Sequence, residues 1–219
     1  MSTPTLAQKV QQKIADDILL GHYQPKEKLV VAELKSRYQI GASPVREALV
    51  QLAWQNYVTL EPQKGCWVAP VSREEFSDLS QTLQLLMTQA VAQSIAMGGE
   101  EWEVAVITSY HKLNRMDLQA EDFCANTWGQ KRLAFFQALI SECQSPSLMR
   151  FIDTLCLQLA RYRHIWLDTH RQNPEQVAII TSQHERMMKA VLARDIKLVR
   201  HEMIHQFDYY MDSTLSAVA

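Results

Sequence analysis

The sequence predicts a mainly α-helical protein with a small N-terminal domain followed by an antiparallel, all-α helical bundle. Three observations lead to this prediction. Apolar residues recur at helical spacing along most of the chain. Glycine (6) and proline (7) are few, which favours helices over a β-rich fold. At 219 residues, the chain is long enough for two modest domains, each with its own core.

The first helix is predicted from about Leu6 to Leu20. Val10, Ile14 and other apolar residues fall on one side of it, which is the side expected to meet a core. Gly21 ends the helix, because glycine adopts the left-handed conformation that commonly follows a helix.

A pair of short helices comes next. The first is predicted over 31–38, and residues 39–42 leave room only for a tight turn. Pro44 suits the first position of the second helix, since the N–H it lacks would be unpaired there in any case. Ser43 just before it is predicted to cap the exposed amides with its hydroxyl.

The second helix carries an apolar stripe and a cation beside it. Val45, Leu49 and Leu52 recur at the spacing that docks a helix on a core. Arg46 lies off that stripe, where its guanidinium can reach a phosphate or a guanine edge. Two short helices joined in this way form a helix-turn-helix. On these residues alone, an ordinary helical hairpin is the open alternative.

A predicted β-hairpin after these helices favours the helix-turn-helix. Residues 58–61 and 66–69 are strand-like, and residues 62–65 between them have the composition of a turn. A hairpin in this place is a wing, with Lys64 at its tip placed for a phosphate or the minor groove. Gly65 beside it allows close approach of the backbone.

These motifs resemble the winged-helix domain of GntR-type bacterial transcription regulators. The resemblance is carried by residues 18–21, 25–29, 44–49 and 64–68. It implies binding to double-stranded DNA at a palindromic operator. The predicted DNA-binding residues are Ala42, Ser43, Pro44, Arg46, Lys64 and Gly65.

The chain departs from the family pattern at four positions. Gly41 and Ala42 stand where the family usually has Ser or Thr and then Arg. Losing that Arg removes a base contact, so the operator need not match the usual one of the family. Lys26 and Asn56 stand where the family usually has Gly.

Charge and cysteine content agree with this class of protein. The net charge is −2, but residues 1–71 carry +2 and the remainder −4, as expected if only the N-terminal domain meets DNA. The four cysteines have no Cys-x-x-Cys spacing, which indicates free thiols in a reducing cytosol. With no secretion signal and no apolar run that could span a membrane, a cytoplasmic protein is predicted.

The domain boundary is predicted at Ser72, which forms a capping box with Glu75. The domains are therefore 1–71 and 72–219. Helices are expected at about 73–97, 101–119, 122–143, 147–169, 175–193 and 195–215. A winged helix before such a bundle resembles the FadR-like branch of the GntR family, whose C-terminal domain is called FCD.

The FCD resemblance implies a homodimer, more often a repressor, that senses a small molecule in the helical domain. Residues 98–102 and 160–167 are also similar to CsiR-type members, which respond to glutarate-related metabolites. Effector-independent DNA binding is the alternative within this class of protein.

Many FCD domains hold a metal in the effector pocket, and the family pattern implies that this chain does not. Arg132 replaces the ligand Asp, Phe136 replaces a ligand His, and Gln206 falls at another His position. His184 matches the one remaining ligand. No metal and no other cofactor is therefore predicted. The predicted effector pocket consists of these four residues together with Leu83 and Met87, which stand where the family usually has Arg and Glu.

Arg132 gives an indication about the effector that does not depend on the resemblance. It shares one predicted helix face with Trp128, Phe135 and Leu139. A guanidinium buried there cannot lose its charge, so it needs an anionic partner. That partner is either a carboxylate from another helix or the effector itself, unless the side chain extends to solvent. His184 shares an apolar stripe as well, which also suits a core histidine.

An all-α enzyme or metal-binding module using His184, His201 and His205 is the competing class of function. The sequence shows no nucleophile–base pair, phosphate-binding loop or paired carboxylates at a useful spacing. A DNA-binding regulator, and not an enzyme, is therefore predicted.

Overall fold

The N-terminal part of the chain folds as three helices and a small antiparallel sheet in the computed structural model, which describes residues 4–215. A second unit begins at Arg73, one residue after the predicted boundary. The helices of the first unit are α1 (Leu6–Leu19), α2 (Val31–Tyr38) and α3 (Ala42–Trp54). The strands are β1 (Lys28–Leu29), β2 (Val58–Glu61) and β3 (Gly65–Val68), in the order β1-β3-β2.

Helix α1 begins with a capping box. The side chain of Thr5 accepts a hydrogen bond from the amide of Gln8, and the Gln8 side chain accepts one from the amide of Thr5. Val10 and Ile14 are buried in the core of this unit, as the predicted stripe requires. The helix ends at Leu19, and Gly21 follows with a φ of +74°.

The predicted cap of α3 is wrong, although the docking stripe of this helix is confirmed. Val45, Leu49 and Leu52 are all buried. The helix begins at Ala42, and no side chain caps it. Ser43 and Pro44 therefore occupy its second and third positions. The proline removes no hydrogen bond there, since the first four amides of a helix have no partner within it.

Strand β1 was not predicted. It pairs with β3, with Lys28 opposite Trp67 and Leu29 opposite Cys66. Two residues are too few to show an alternating pattern in the sequence, so only the tertiary pairing reveals the strand. The last strand, β3, also begins one residue earlier than the predicted 66–69.

The second unit is helical throughout its described residues. Its helices are α4 (Arg73–Met97), α5 (Glu100–Asn114), α6 (Ala125–Leu139), α7 (Pro146–Gln158), α8 (Ala160–His170), α9 (Pro174–Leu192) and α10 (Ile196–Leu215). Helix α4 packs on α7 and α10, α10 packs on α9, and α5 packs on α6 and α9. None of the described helices is long and apolar enough to cross a membrane.

Three of the predicted helices in this unit have wrong bounds. The helix predicted at 122–143 is shorter at both ends, from Ala125 to Leu139. The predicted helix 147–169 is two helices that meet at Leu159, where no glycine or proline marks the break. The predicted helix 101–119 ends at Asn114. Beyond it, the side chain of Asp117 accepts a hydrogen bond from the amide of Gln119, a local bond that competes with the helix.

Candidate functional site

The first unit presents an open groove between α3 and the β2–β3 wing. Its volume is about 550 Å³, and Arg46, Lys64 and Gly65 line it. The other predicted DNA-binding residues form the first turn of α3 outside this groove, with Ser43 exposed and Ala42 and Pro44 half-buried. The structure thus brings three of the six predicted residues together.

The groove has an apolar floor and a basic rim. Leu29 and Leu49 are buried in its floor. Lys64 is 74% exposed at the wing tip and forms an ion pair with Glu61 at 3.1 Å. Arg46 is exposed, and no carboxylate of the described residues lies within ion-pair distance of it. Exposed cations around an open groove suit the phosphate backbone of a nucleic acid.

The second unit encloses a cavity of about 60 Å³ among α4, α6, α7, α8 and α10. This volume is several times what one water molecule needs. Five of the six predicted pocket residues line it: Leu83, Met87, Arg132, Phe136 and Gln206. Since they come from three separate helices, only the tertiary fold brings them together.

The structure places His184 outside this cavity. Its ring packs among Trp128, Phe135 and Phe136, with ring-centre distances of 5.9–6.4 Å, and it lines a separate cavity of about 10 Å³. Burial, and then the charge of Arg132, holds the pKa of His184 well below the usual value. The imidazole is therefore neutral at physiological pH.

Arg132 is half-buried, and its guanidinium packs against aromatic rings. Its guanidinium carbon lies 4.6 Å from the ring centre of Phe136 and 5.4 Å from that of Tyr210, distances typical of cation–π contacts. Its buried Nε has no hydrogen-bond partner among the described residues. Burial is the main cause that lowers the pKa of Arg132; Tyr210 opposes this shift and the charge of Arg163 adds to it. No carboxylate of the described residues forms an ion pair with it.

Arg163 of α8 lines the same cavity, and the sequence analysis missed it. Its buried Nε is also without a hydrogen-bond partner among the described residues. Gly129 of α6 provides the space, since a Cβ added there would lie only 2.9 Å from the Arg163 Nη2 atom. A glycine inside a helix lowers helix stability by about 1 kcal/mol relative to alanine. The presence of Gly129 inside a predicted helix was therefore the sequence signal that a neighbouring side chain packs there.

Gln206 and Tyr210 add unsatisfied polar atoms to this cavity. Both amide atoms of Gln206 and the hydroxyl of Tyr210 are buried without a partner among the described residues. Burial raises the pKa of Tyr210, while the charges of Arg132 and Arg163 lower it. Buried polar groups normally have partners, and these atoms together with the two guanidiniums have the chemistry to hydrogen-bond a polar, negatively charged molecule.

The cavity residues do not fit a metal ion. Arg132 and Arg163 have no lone pair to donate, and their charges repel a cation. Burial raises the pKa of the Cys156 thiol to about 11, which keeps it protonated. Within residues 4–215, no group of three or more His, Cys, Asp or Glu side chains is arranged to hold a metal.

The competing histidine site also lacks the expected geometry. The rings of His201 and His205 lie 5.1 Å apart on α10, and both residues are exposed. His184 is buried among aromatic rings on α9. The structure therefore does not form the three histidines into one site.

Comparison with known proteins decides the family. Residues 6–68 match the bacterial regulatory proteins of the gntR family, and residues 78–208 match the FCD domain. The chain belongs to the GntR family and carries an FCD domain. It is a DNA-binding transcription regulator, as the sequence predicted.

Two curated GntR-type relatives are similar over most of the chain. The HTH-type transcriptional repressor GlaR of Escherichia coli K12 is 36% identical over 83% of each chain. The HTH-type transcriptional regulator BphR of Paraburkholderia xenovorans LB400 is 34% identical over 87% of this chain and 78% of that protein.

Solved structures share the fold of this GntR regulator. E. coli McbR/YncC covers 99% of this chain and 100% of its own, with a TM-score of 0.80 and 17% identity. A GntR regulator from Rhodococcus sp. RHA1 covers 96% and 97%, with a TM-score of 0.75 and 18% identity. The winged helix-turn-helix and the helical domain after it are thus confirmed.

Proposed function

We propose that this regulator is an effector-responsive repressor. As a homodimer in the cytoplasm, it binds a palindromic operator through α3 and the wing. A small carboxylate in the cavity of the second unit weakens that binding, and the protein acts as a binder without catalysis. The observation that carries this proposal is the pair of guanidiniums, Arg132 and Arg163, in a cavity that no described acidic residue lines.

The energetics favour a ligand over a purely structural role for these arginines. A buried charge without a counter-ion is costly, and a structural arginine normally has a carboxylate that offsets the cost. A carboxylate ligand would accept two parallel hydrogen bonds from a guanidinium, which are stronger than neutral ones. Leu83, Met87 and Phe136 around the cations would exclude water and strengthen that attraction.

The proposal also requires the ligand to distinguish two states of the protein. Helices α4, α6, α7, α8 and α10 all contribute to the cavity wall, so a bound molecule lies among five of the described helices of the second unit. A ligand shifts an equilibrium only by its difference in affinity for the two states. The effector is therefore expected to bind more tightly to the form that has released DNA.

Selection of bound fragments from random DNA, followed by titration with small carboxylates, tests this function. An effector at 100 times its Kd should stabilise the protein by about 2.7 kcal/mol and release the operator. Sequence-specific binding that no carboxylate alters would favour an effector-independent regulator. Failure to bind any DNA specifically would contradict the whole proposal.

The DNA side of the proposal predicts different effects for two variants. Arg46→Ala should weaken operator binding by about 1–3 kcal/mol if the guanidinium reads a base. Lys64→Ala should weaken binding to every sequence and reduce the salt dependence by about one unit of slope. If both variants bound like the parent, the groove would not be the DNA interface.

A further inference from the structure

A third cation lines the groove of the first unit. Lys28 belongs to β1, and the antiparallel pairing with β3 places it opposite Trp67. It lines the same groove as Arg46 and Lys64. The sequence pattern does not reveal this position, because the strand that carries Lys28 has only two residues.

The side chain of Lys28 lies across β3 beside the wing tip. Its Nζ is 5.4 Å from the ring centre of Trp67, within the range of a cation–π contact. A Cβ added at Gly65 would lie 3.2 Å from its Cε and 3.9 Å from its Nζ. The indole ring and the bare glycine backbone together limit where the lysine stem can lie.

The charge of Lys28 is available for a ligand. Glu61 is the acidic residue that lines the groove within the described part of the chain, and it is paired with Lys64 at 3.1 Å. No described carboxylate forms an ion pair with Lys28, and the residue is exposed. Its ammonium faces the electron-rich ring of Trp67, an interaction that leaves the positive charge in place.

We propose that Lys28 is a third contact to the DNA phosphate backbone and that Trp67 is its positioning residue. An ammonium is a point charge, which suits a phosphate better than the two-pronged recognition of a guanine edge. The contact therefore adds affinity for every DNA sequence. This inference rests on the DNA interface proposed above and extends it from the wing tip to β1.

Salt titration of Lys28→Ala with a mixed-sequence duplex tests the contact. Loss of one phosphate contact makes the slope of log K against log salt shallower by about 0.9, so the parent's advantage shrinks about 3.5-fold between about 50 and 200 mM salt. Lys112→Ala is the matched control, since it removes the same charge from an exposed position in the second unit. That control should keep the parent slope, and Lys28→Arg should keep it as well.

A double-mutant cycle tests the role of Trp67. Trp67→Leu should weaken binding about 2- to 5-fold in the parent, the range expected for an exposed cation–π contact, and have no effect in Lys28→Ala. Equal losses in both backgrounds would show that the ring contacts DNA by itself, which would overturn the positioning role. Melting curves of each variant check that the unit remains folded, and Lys28→Gln repeats the charge loss with a longer side chain.

The outcomes separate this inference from the function on which it rests. Parent-like slopes for Lys28→Ala and Lys28→Gln, together with a shallower slope for Lys64→Ala, would overturn the Lys28 contact and leave the groove as the interface. Parent-like behaviour of the Lys28, Arg46 and Lys64 variants together would overturn the interface itself.

Discussion

Arg161 and Arg163 lie two positions apart on α8 and have opposite surroundings. The side chain of Arg161 is 4% exposed and binds the carboxylate of Glu75 at 3.2 Å. That carboxylate also accepts a hydrogen bond from Tyr162, whose ring stacks on Phe76. Arg163 lines the cavity, where no described acidic residue is present.

The difference shows that the partner of an arginine, and not its place on the helix, decides what its charge does. Glu75 is 86 residues away in the sequence, so the residues near Arg161 do not predict its ion-pair partner. The first arginine contributes to the fold because its charge is matched within the protein. The charges of Arg163 and Arg132 have no described carboxylate in their cavity, and in the function proposed above a ligand would match them.

The largest expected effect is the loss of the Glu75 carboxylate. Glu75→Ala leaves a buried guanidinium without this counter-ion and should lower the free energy of unfolding by about 3–5 kcal/mol. Urea denaturation measures it. The control is Glu103→Ala, which removes an ion pair with Arg194 whose side chains are 36% and 40% exposed. Equal losses in the two variants would show that the Glu75–Arg161 pair contributes no more to the free energy of unfolding than the exposed pair does.

Acid should lower the free energy of unfolding, because two histidines beside the cavity arginines bind protons more weakly in the folded protein than in the unfolded chain. Burial, then the charge of Arg163, lowers the pKa of His164 to about 4, and His184 is shifted in the same direction. The unfolded chain binds these protons near pH 6.5, so stability is fully present above that pH. For His164, stability is lost by up to about 1.4 kcal/mol per pH unit as the pH falls from about 6.5 towards 4. His184 adds a loss of the same sign.

Removing one histidine tests this pH dependence. His164→Gln should make the decline of unfolding free energy between about pH 6.5 and 4 shallower by the contribution of one proton, about 1.4 kcal/mol per pH unit. An unchanged decline would mean that the pKa of His164 is the same in the folded and the unfolded chain.

A smaller effect of the opposite sign is expected from Arg163→Leu. Arg163 is half-buried and has no described carboxylate partner. Replacing its charge with an apolar side chain should raise the free energy of unfolding by about 1 kcal/mol in the absence of ligand. The matched variant Arg161→Leu should instead be destabilised, because it removes the ion-pair partner of Glu75. Destabilisation of both variants to the same extent would remove the distinction between the two arginines.

The sequence predicted the features that depend on apolar spacing and turn composition, although it misplaced the cap of α3. The stripe of Val45, Leu49 and Leu52 and the wing depend on spacing within a few residues, and both are present. Family glycine positions also keep their backbone geometry, since Lys26 and Asn56 have φ values of 68° and 56°. These residues adopt the left-handed conformation that glycine adopts without strain.

Features that depend on tertiary contacts were not predictable. Arg132 could be placed on a buried face from its helix alone, but Arg163 reaches the cavity through the gap at Gly129 on another helix. His184 lies on the expected apolar stripe, yet aromatic rings lie between it and the arginine cavity, and it lines a different cavity. Strand β1 exists only because β3 lies beside it. In each case, a distant segment decides the outcome.

The effector role of Arg132 is tested most directly by Arg132→Leu, measured by operator release and by melting. If Arg132 binds the effector, this variant should bind the operator like the parent, melt at the same temperature or higher, and no longer respond to the carboxylate that releases the parent. A structural role for Arg132 predicts the reverse: a loss of about 3–5 kcal/mol with the response retained. A destabilised variant that still responds to the carboxylate would contradict the assignment of this cavity as the effector site.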